Sequence, residues 1–197
     1  MLSAALATLN TAVSEANKLL FDMATQKQAL RGMGTTLTAA LLIDQDLYVV
    51  HVGDSRCYII NNRETIQVTR DHSQVQEMVD AGLITPEQAR IHPQKNVITR
   101  VLGYYQEVAA DNYQLKLFQG DNILVCSDGL WGVLSEQMIS EIVLTSETPE
   151  EACAELVEQA NHLGGPDNIS VIIARPEQLP SWQELVTAET QIIRKHK

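Results

Sequence analysis

One stretch constrains the fold of this chain more than any other: Asp121 to Gly132, DNILVCSDGLWG. Ile123 to Val125 is a short apolar run with β-branched residues and no internal turn signal, which predicts a buried strand. The run breaks at Ser127-Asp128-Gly129, and a helix is expected to begin near Ser135. A strand that ends this way sets the Asp128 carboxylate at the rim of a sheet. Gly129 beside it permits a tight turn or a close approach of backbone to a ligand. A carboxylate placed there stabilises little and is well suited to hold a metal. A plain Asp-Gly turn closing a strand produces the same dipeptide, so the choice depends on the rest of the chain.

The remainder reads as helices segregated from strands. Residues 2 to about 30 carry apolar side chains at spacings of three and four, from Leu2 through Val13 to Met23, which predicts one amphipathic helix ended at Gly32 and Gly34. Thr35 to Ile43, Leu47 to Val52, Arg56 to Ile60 and Thr65 to Val68 then read as an antiparallel meander of adjacent strands. Residues 70 to 100 form an irregular insertion with two short helices, Gln74 to Ala81 and one opened by Thr85-Pro86. Connections of that length are often lids or binding loops. Tyr113 to Phe118 alternates as a half-buried strand, helices follow from Ser135 and Pro149, and Ile169 to Ala174 is expected to be a central strand. Arg175 to Pro180 reads as a linker into an amphipathic helix carrying Trp182, Leu185 and Ile192. The expected division is one domain over 1–175 and a linker with helix over 176–197. The order argues α+β rather than alternating βαβ units.

Composition narrows the function. With 25 acidic and 14 basic residues the formal charge is -11, which does not suit nucleic acid or anionic lipid but does suit a site that gathers cations. Cys57, Cys126 and Cys153 are scattered and make no CxxC pair, so a reducing, cytoplasmic setting is expected. No stretch is apolar enough to span a membrane. Cys126 lies inside an apolar strand and reads as core. His51 reads as a packed or cross-strand residue, and His72 as a structural hydrogen-bonding group in preference to a proton shuttle. His92 reads as an exposed loop residue.

Four aspartates stand beside expected strand ends: Asp54 in GDS, Asp71 in RDH, Asp128 in SDG and Asp167 in GPDN. Two helices fit between Asp128 and Asp167, so their strands can be neighbours. Clustered carboxylates raise each other's pKa and need compensation, which a hard divalent cation supplies. All-oxygen ligation suits Mg²⁺ or Mn²⁺, and no Cys/His set suggests zinc. Four unrelated turn aspartates remain the alternative on spacing alone.

Six motifs now line up: Gly32-Met33-Gly34-Thr35-Thr36, Val52-Gly53-Asp54-Ser55-Arg56, Asp71-His72-Ser73, Asn96 to Gly103 (NVITRVLG), Ser127-Asp128-Gly129-Leu130 and Gly165-Pro166-Asp167-Asn168-Ile169. In order and spacing the chain resembles metal-dependent Ser/Thr protein phosphatases of the PP2C (PPM) type, and its compact spacing is similar to bacterial members. The resemblance covers about residues 1–175. It implies a four-layer α-β-β-α sandwich with a two-metal Mg²⁺ or Mn²⁺ centre at one edge. Asp128 and Asp167 would be direct ligands, and Asp54 would serve a weaker third metal. Residues 72–99 would be the flap beside the cleft, with His72, His92, Asn96 and Arg100 bearing on substrate access. Gly32, Gly34, Gly53, Gly129 and Asn168 would shape the turns. Gly32 and Gly34 would let the first helix approach its strand, and Asn168 would present Asp167. The implied reaction is hydrolysis of phosphoserine or phosphothreonine monoesters in a phosphoprotein by a metal-activated water, in a protein that is monomeric in its complete form.

The chain departs from that family at its start. The family supplies two strands before the first helix, with an acidic residue, a phosphate-binding arginine and an Asp-Gly-x-Gly motif whose aspartate bridges the metals. Nothing in residues 1–31 matches these; Asp22 has no following glycine and Arg31 is misplaced. The expectation is an N-terminally truncated domain with an incomplete ligand set. An inactive phosphatase-like binding or regulatory module is the alternative.

Overall fold

The structure, a computed structural model, describes residues 3–181. Ser3 caps the first helix, α1 (Ala4–Gln26), by accepting the Leu6 amide on its hydroxyl. A single 3₁₀ turn at Gln28–Leu30 then leads into β1 (Leu37–Ile43) and β2 (Asp46–Val52), which pair antiparallel. β3 (Arg56–Ile60) and β4 (Thr65–Gln67) form a second antiparallel pair. The next helices are α2 (Gln74–Asp80), capped by Ser73, and α3 (Pro86–Ile91), opened by a Thr85–Gln88 capping box with Pro86 in its first turn. β5 (Asp111–Lys116), β6 (Asn122–Cys126), a single helical turn α4 (Asp128–Trp131), α5 (Glu136–Thr145), α6 (Pro149–His162) and β7 (Val171–Ala174) complete the described chain.

These elements stack in four layers: α1, a three-stranded sheet, a four-stranded sheet, and α5 with α6. The sheets have strand orders β1-β2-β5 and β4-β3-β6-β7, and every pairing is antiparallel. The period-two alternation of strands produces the layering. On β2, Val50 and Val52 face α1 and pack with Leu6 and Val13, while Leu47 and Val49 face the other sheet and pack with Cys57, Ile59 and Ile123. On β3 and β6, Tyr58, Ile60, Leu124 and Cys126 face the second helical layer and meet Ile139, Val143 and Leu156. Cutting Leu156 to Ala in this fully buried layer is expected to cost about 2–5 kcal/mol.

Two expectations change. The first four strands are not one meander, because β2 and β3 lie in different sheets and Gly53-Asp54-Ser55 is the crossing between them. The last strand is an edge, paired only with β6 among the described strands, and its Ile172 is 66% exposed. An apolar run was a poor guide there, because burial on one face suffices for a short strand. Residues 175–180, read as a linker, lie against the domain. Arg175 donates to the Val143 and Glu147 carbonyls at the end of α5, Leu179 packs between the sheets, and Pro180 accepts from the Gln119 amide. The expected Trp182 helix lies outside the described residues. Among the described residues no helix is long and apolar enough to cross a membrane.

Candidate functional site

β6 and β7 pair so that Cys126 faces Val171, which brings the Ser127-Asp128 end of one strand against the Asp167-to-Ser170 approach of the other. Ser127 staples this junction. Its amide donates to the Ser170 carbonyl at 3.0 Å, its hydroxyl to the Asn168 carbonyl at 3.2 Å, and that same hydroxyl accepts the Ser170 amide at 3.0 Å. The approach demands glycine at 129: a Cβ there would sit 2.3 Å from the Asn168 carbonyl oxygen. Asn168 shapes the turn through its backbone, and its amide donates to Asp167 Oδ1 at 2.7 Å. Asp128 heads α4 half-buried, and Asp167 is exposed beside it. The strand therefore runs directly into a helical turn, ahead of the helix expected near Ser135.

Asp54 is set from the crossing between the sheets. Gly53 has φ of +116°, and a Cβ would lie 2.4 Å from Thr36 Cγ2. Both polar groups of Gly53 are held by histidines. Its amide donates to His72 Nδ1 at 3.0 Å, and its carbonyl accepts from His51 Nε2 at 2.9 Å and from the His72 amide at 2.7 Å. His51 also meets its cross-strand partner Thr38 at 2.9 Å through Nδ1, the cross-strand role its position implied. The two corners are joined by Trp131, whose indole donates to the Asp54 carbonyl at 2.9 Å. The Arg56 guanidinium lies 3.6 Å over the same ring.

Asp71 does not join the other aspartates. Its carboxylate takes three bonds from Arg56, at 2.7 to 3.2 Å, so it is spent on an internal ion pair. The flap residues also divide. His72 is buried at the flap's base, where Nε2 lies 3.1 Å from Asp111 Oδ2. Arg100 is partly exposed and donates to Asp111 Oδ1 at 2.8 Å. His92 caps the end of α3 and accepts the Gln94 amide on Nδ1, and Asn96 is exposed. Gly34 would meet the Leu102 carbonyl at 3.0 Å rather than the helix, and Gly32 has nothing near it. The glycine that admits α1 closely is Gly103, where a Cβ would lie 2.9 Å from Leu20 Cβ. The sequence alone does not mark Arg56, Trp131 and Asp111 as working residues. Arg56 and Trp131 at least sit inside the GDSR and SDGLWG stretches, but Asp111 has no local signal.

The electrostatics are those of crowded acids. Burial, then the charges of Asp128 and Asp71, push the Asp54 carboxyl up to about 6. Burial and the neighbouring Asp167 push Asp128 up as well. Burial drives His51 down to about 4, with His72 adding to the effect, so it is neutral. Burial pushes the Cys57 and Cys126 thiols up to about 12, which leaves both inert core groups. Asp54, Asp128 and Asp167 are hard oxygen donors of the kind Mg²⁺ or Mn²⁺ takes. Among the described residues, however, no three His, Cys, Asp or Glu gather into one metal-holding cluster. The donor set fits such a cation in kind and is short in number.

The family described as Protein phosphatase 2C matches residues 3–169, and the chain belongs to it. The serine/threonine phosphatase stp of Listeria monocytogenes serovar 1/2a is 37% identical over 165 residues, covering 84% of this chain. The chain spans 66% of that relative's length. Among solved structures, the serine/threonine phosphatase Stp1 of Staphylococcus aureus superposes with a TM-score of 0.86 at 34% identity, over 90% of this chain and 71% of that one. The catalytic domain of the serine threonine protein phosphatase PstP in complex with two manganese ions superposes with a TM-score of 0.81 at 37% identity, over 90% and 74% of the respective chains.

Proposed function

We propose that this domain hydrolyses phosphoserine and phosphothreonine monoesters in proteins at a binuclear Mg²⁺ or Mn²⁺ centre. Asp128 and Asp167 would hold the metals, and Asp54 a weaker third. The observation that carries the reading is the β6–β7 pairing, which brings the Asp128 and Asp167 strand ends together in a chain of this family. The two-manganese complex of PstP supports the choice of metal. When bound, such cations supply charge neutralisation for the phosphate and an acidified water. The chain's own residues do the positioning. Ser127 and Gly129 fix the turn that carries Asp128, and the two histidines on Gly53 fix the loop that carries Asp54. Arg56 removes Asp71 from the competition for cations. The substrate would be a phosphoprotein met by a monomer.

The test is hydrolysis of a phosphothreonine peptide by the chain with Mn²⁺ and with EDTA. Turnover that needs Mn²⁺ and disappears in Asp128→Asn supports the proposal. EDTA-resistant turnover overturns it, and a folded chain that takes up Mn²⁺ without turnover would make the domain a binding module.

A further inference from the structure

His72 occupies the neck of the flap, where the chain leaves the sandwich and returns to it. Its carbonyl accepts the Thr99 amide at 2.7 Å, Ser73 bridges to Ile98, and the Gln74 amide donates to the Val97 carbonyl at 2.9 Å. The outgoing and returning strands of the flap are therefore zipped at this residue. Its ring then points away from the flap, toward Gly53 on one side and Asp111 on the other.

The protonation pattern follows from the partners. A backbone N–H can only donate, so Gly53 fixes His72 Nδ1 as an acceptor. The proton of a neutral ring must then lie on Nε2, which donates to Asp111 Oδ2. Arg100 Nη1 stands 3.2 Å from Nε2, but both carry hydrogen, so both serve Asp111 instead of each other. Burial would raise the Asp111 carboxyl, but the bonds from His72 and Arg100 outweigh it and hold it below the usual range. Asp111 is thereby a fixed anion that orients the ring, and the ring orients Gly53.

We propose that His72 is a positioning residue that ties the flap's neck to the Asp54 loop, with Asp111 and Arg100 as the latch that sets its tautomer and angle. Movement of the flap return at Thr99 and Arg100 is transmitted through one imidazole to the peptide next to Asp54. A cleft of about 220 Å³ lined by Asp71, His72, Thr99, Arg100 and Asp111 lies beside this joint. The functional half of this inference rests on the metal-dependent reading of Asp54.

Two substitutions separate the ring's two bonds. His72→Asn keeps an acceptor near the Nδ1 position and loses the reach to Asp111. His72→Gln reaches toward Asp111 and abandons Gly53. The first readout is amide hydrogen exchange at Gly53 in the metal-free chain. His72→Gln should exchange roughly tenfold faster or more at Gly53, and His72→Asn, which keeps that bond and loses only the latch, by the smaller factor expected of Asp111→Ala. Asp111→Ala, which frees the ring without altering it, should speed Gly53 by a smaller factor. The second readout is the Mn²⁺ concentration needed to raise Tm. It should rise roughly tenfold in His72→Gln and little in His72→Asn. Unchanged Gly53 exchange in both His72→Gln and Asp111→Ala overturns the proposal, and so does an equal loss in both His72 variants. If wild type shows no Mn²⁺-induced shift at all, the metal reading fails while the Gly53 exchange still decides the role of His72.

Discussion

Asp128 and Asp54 both stand just past the end of a strand, yet they are held in different ways. Asp128 is placed by a single neighbouring strand: its own strand stops, Ser127 staples the approach to β7, and Gly129 lets the Asn168 carbonyl come close. Asp54 is placed by residues from across the sequence. Thr36 forbids a side chain at 53, His51 and His72 grip the Gly53 peptide, and Trp131 holds the Asp54 carbonyl. The first corner is a seam between two paired strands, β6 and β7, closed by one serine and one glycine. The second is a joint between two sheets, a flap and a helix. The difference teaches which corner has contacts to the flap through which it can respond, and which is held by strand pairing.

The strongest way to break this comparison is at the fixed corner. Asp128→Asn or Asp167→Asn should lower Mn²⁺-dependent kcat by roughly 10² or more in the active protein, measured on a phosphothreonine peptide. Normal turnover in both would remove the proposed ligands. Glycine substitutions sharpen the contrast next. Gly129→Ala drives a Cβ against the Asn168 carbonyl, and Gly53→Ala combines positive φ with the Thr36 contact. Each should cost about 2–3 kcal/mol in urea unfolding. A neutral result at either position would mean that its corner relaxes more freely than these contacts allow.

A pH series probes the joint. The folded pKa of His51 is about 4, below its ordinary 6.5. Its contribution is therefore present above pH 6.5 and lost as pH falls through 4, because the unfolded chain takes up the proton first. Between pH 7.5 and 4.5 the loss should be roughly 2 kcal/mol, read as the difference between wild type and His51→Gln. Parallel pH profiles for the two proteins would contradict a buried neutral His51. The smallest expected effect is Arg56→Lys, which gives up the paired bonds to Asp71 and the stacking on Trp131 for about 1–2 kcal/mol. A cost below the error of the unfolding curve would detach Arg56 from the joint.

Legibility in the sequence followed the same divide. The Asp128 corner was readable because its cause is local, an apolar run, a break and a glycine. Even there the turn α4 was missed, since DGLW is too short to show helical periodicity. The strands were found within a residue or two, because alternation is a backbone property. Their assignment to two sheets was not, since β2 and β3 are separated only by Gly53-Asp54-Ser55 and look continuous. Asp71 resembled Asp54 and Asp128 in sequence, and only its three bonds from Arg56 set it apart. Asp111 was invisible, because its importance comes from register: it stands opposite His51 on β2 and beneath the flap's neck.

The most direct measurement is Mn²⁺ binding by titration calorimetry to the chain, to Asp128→Asn and to the Asp128→Asn, Asp167→Asn double variant at pH 7.5. The expected result is Mn²⁺ uptake by wild type that weakens in the single variant and disappears in the double. Equal uptake by all three proteins would contradict the assignment of Asp128 and Asp167 as the metal-holding pair.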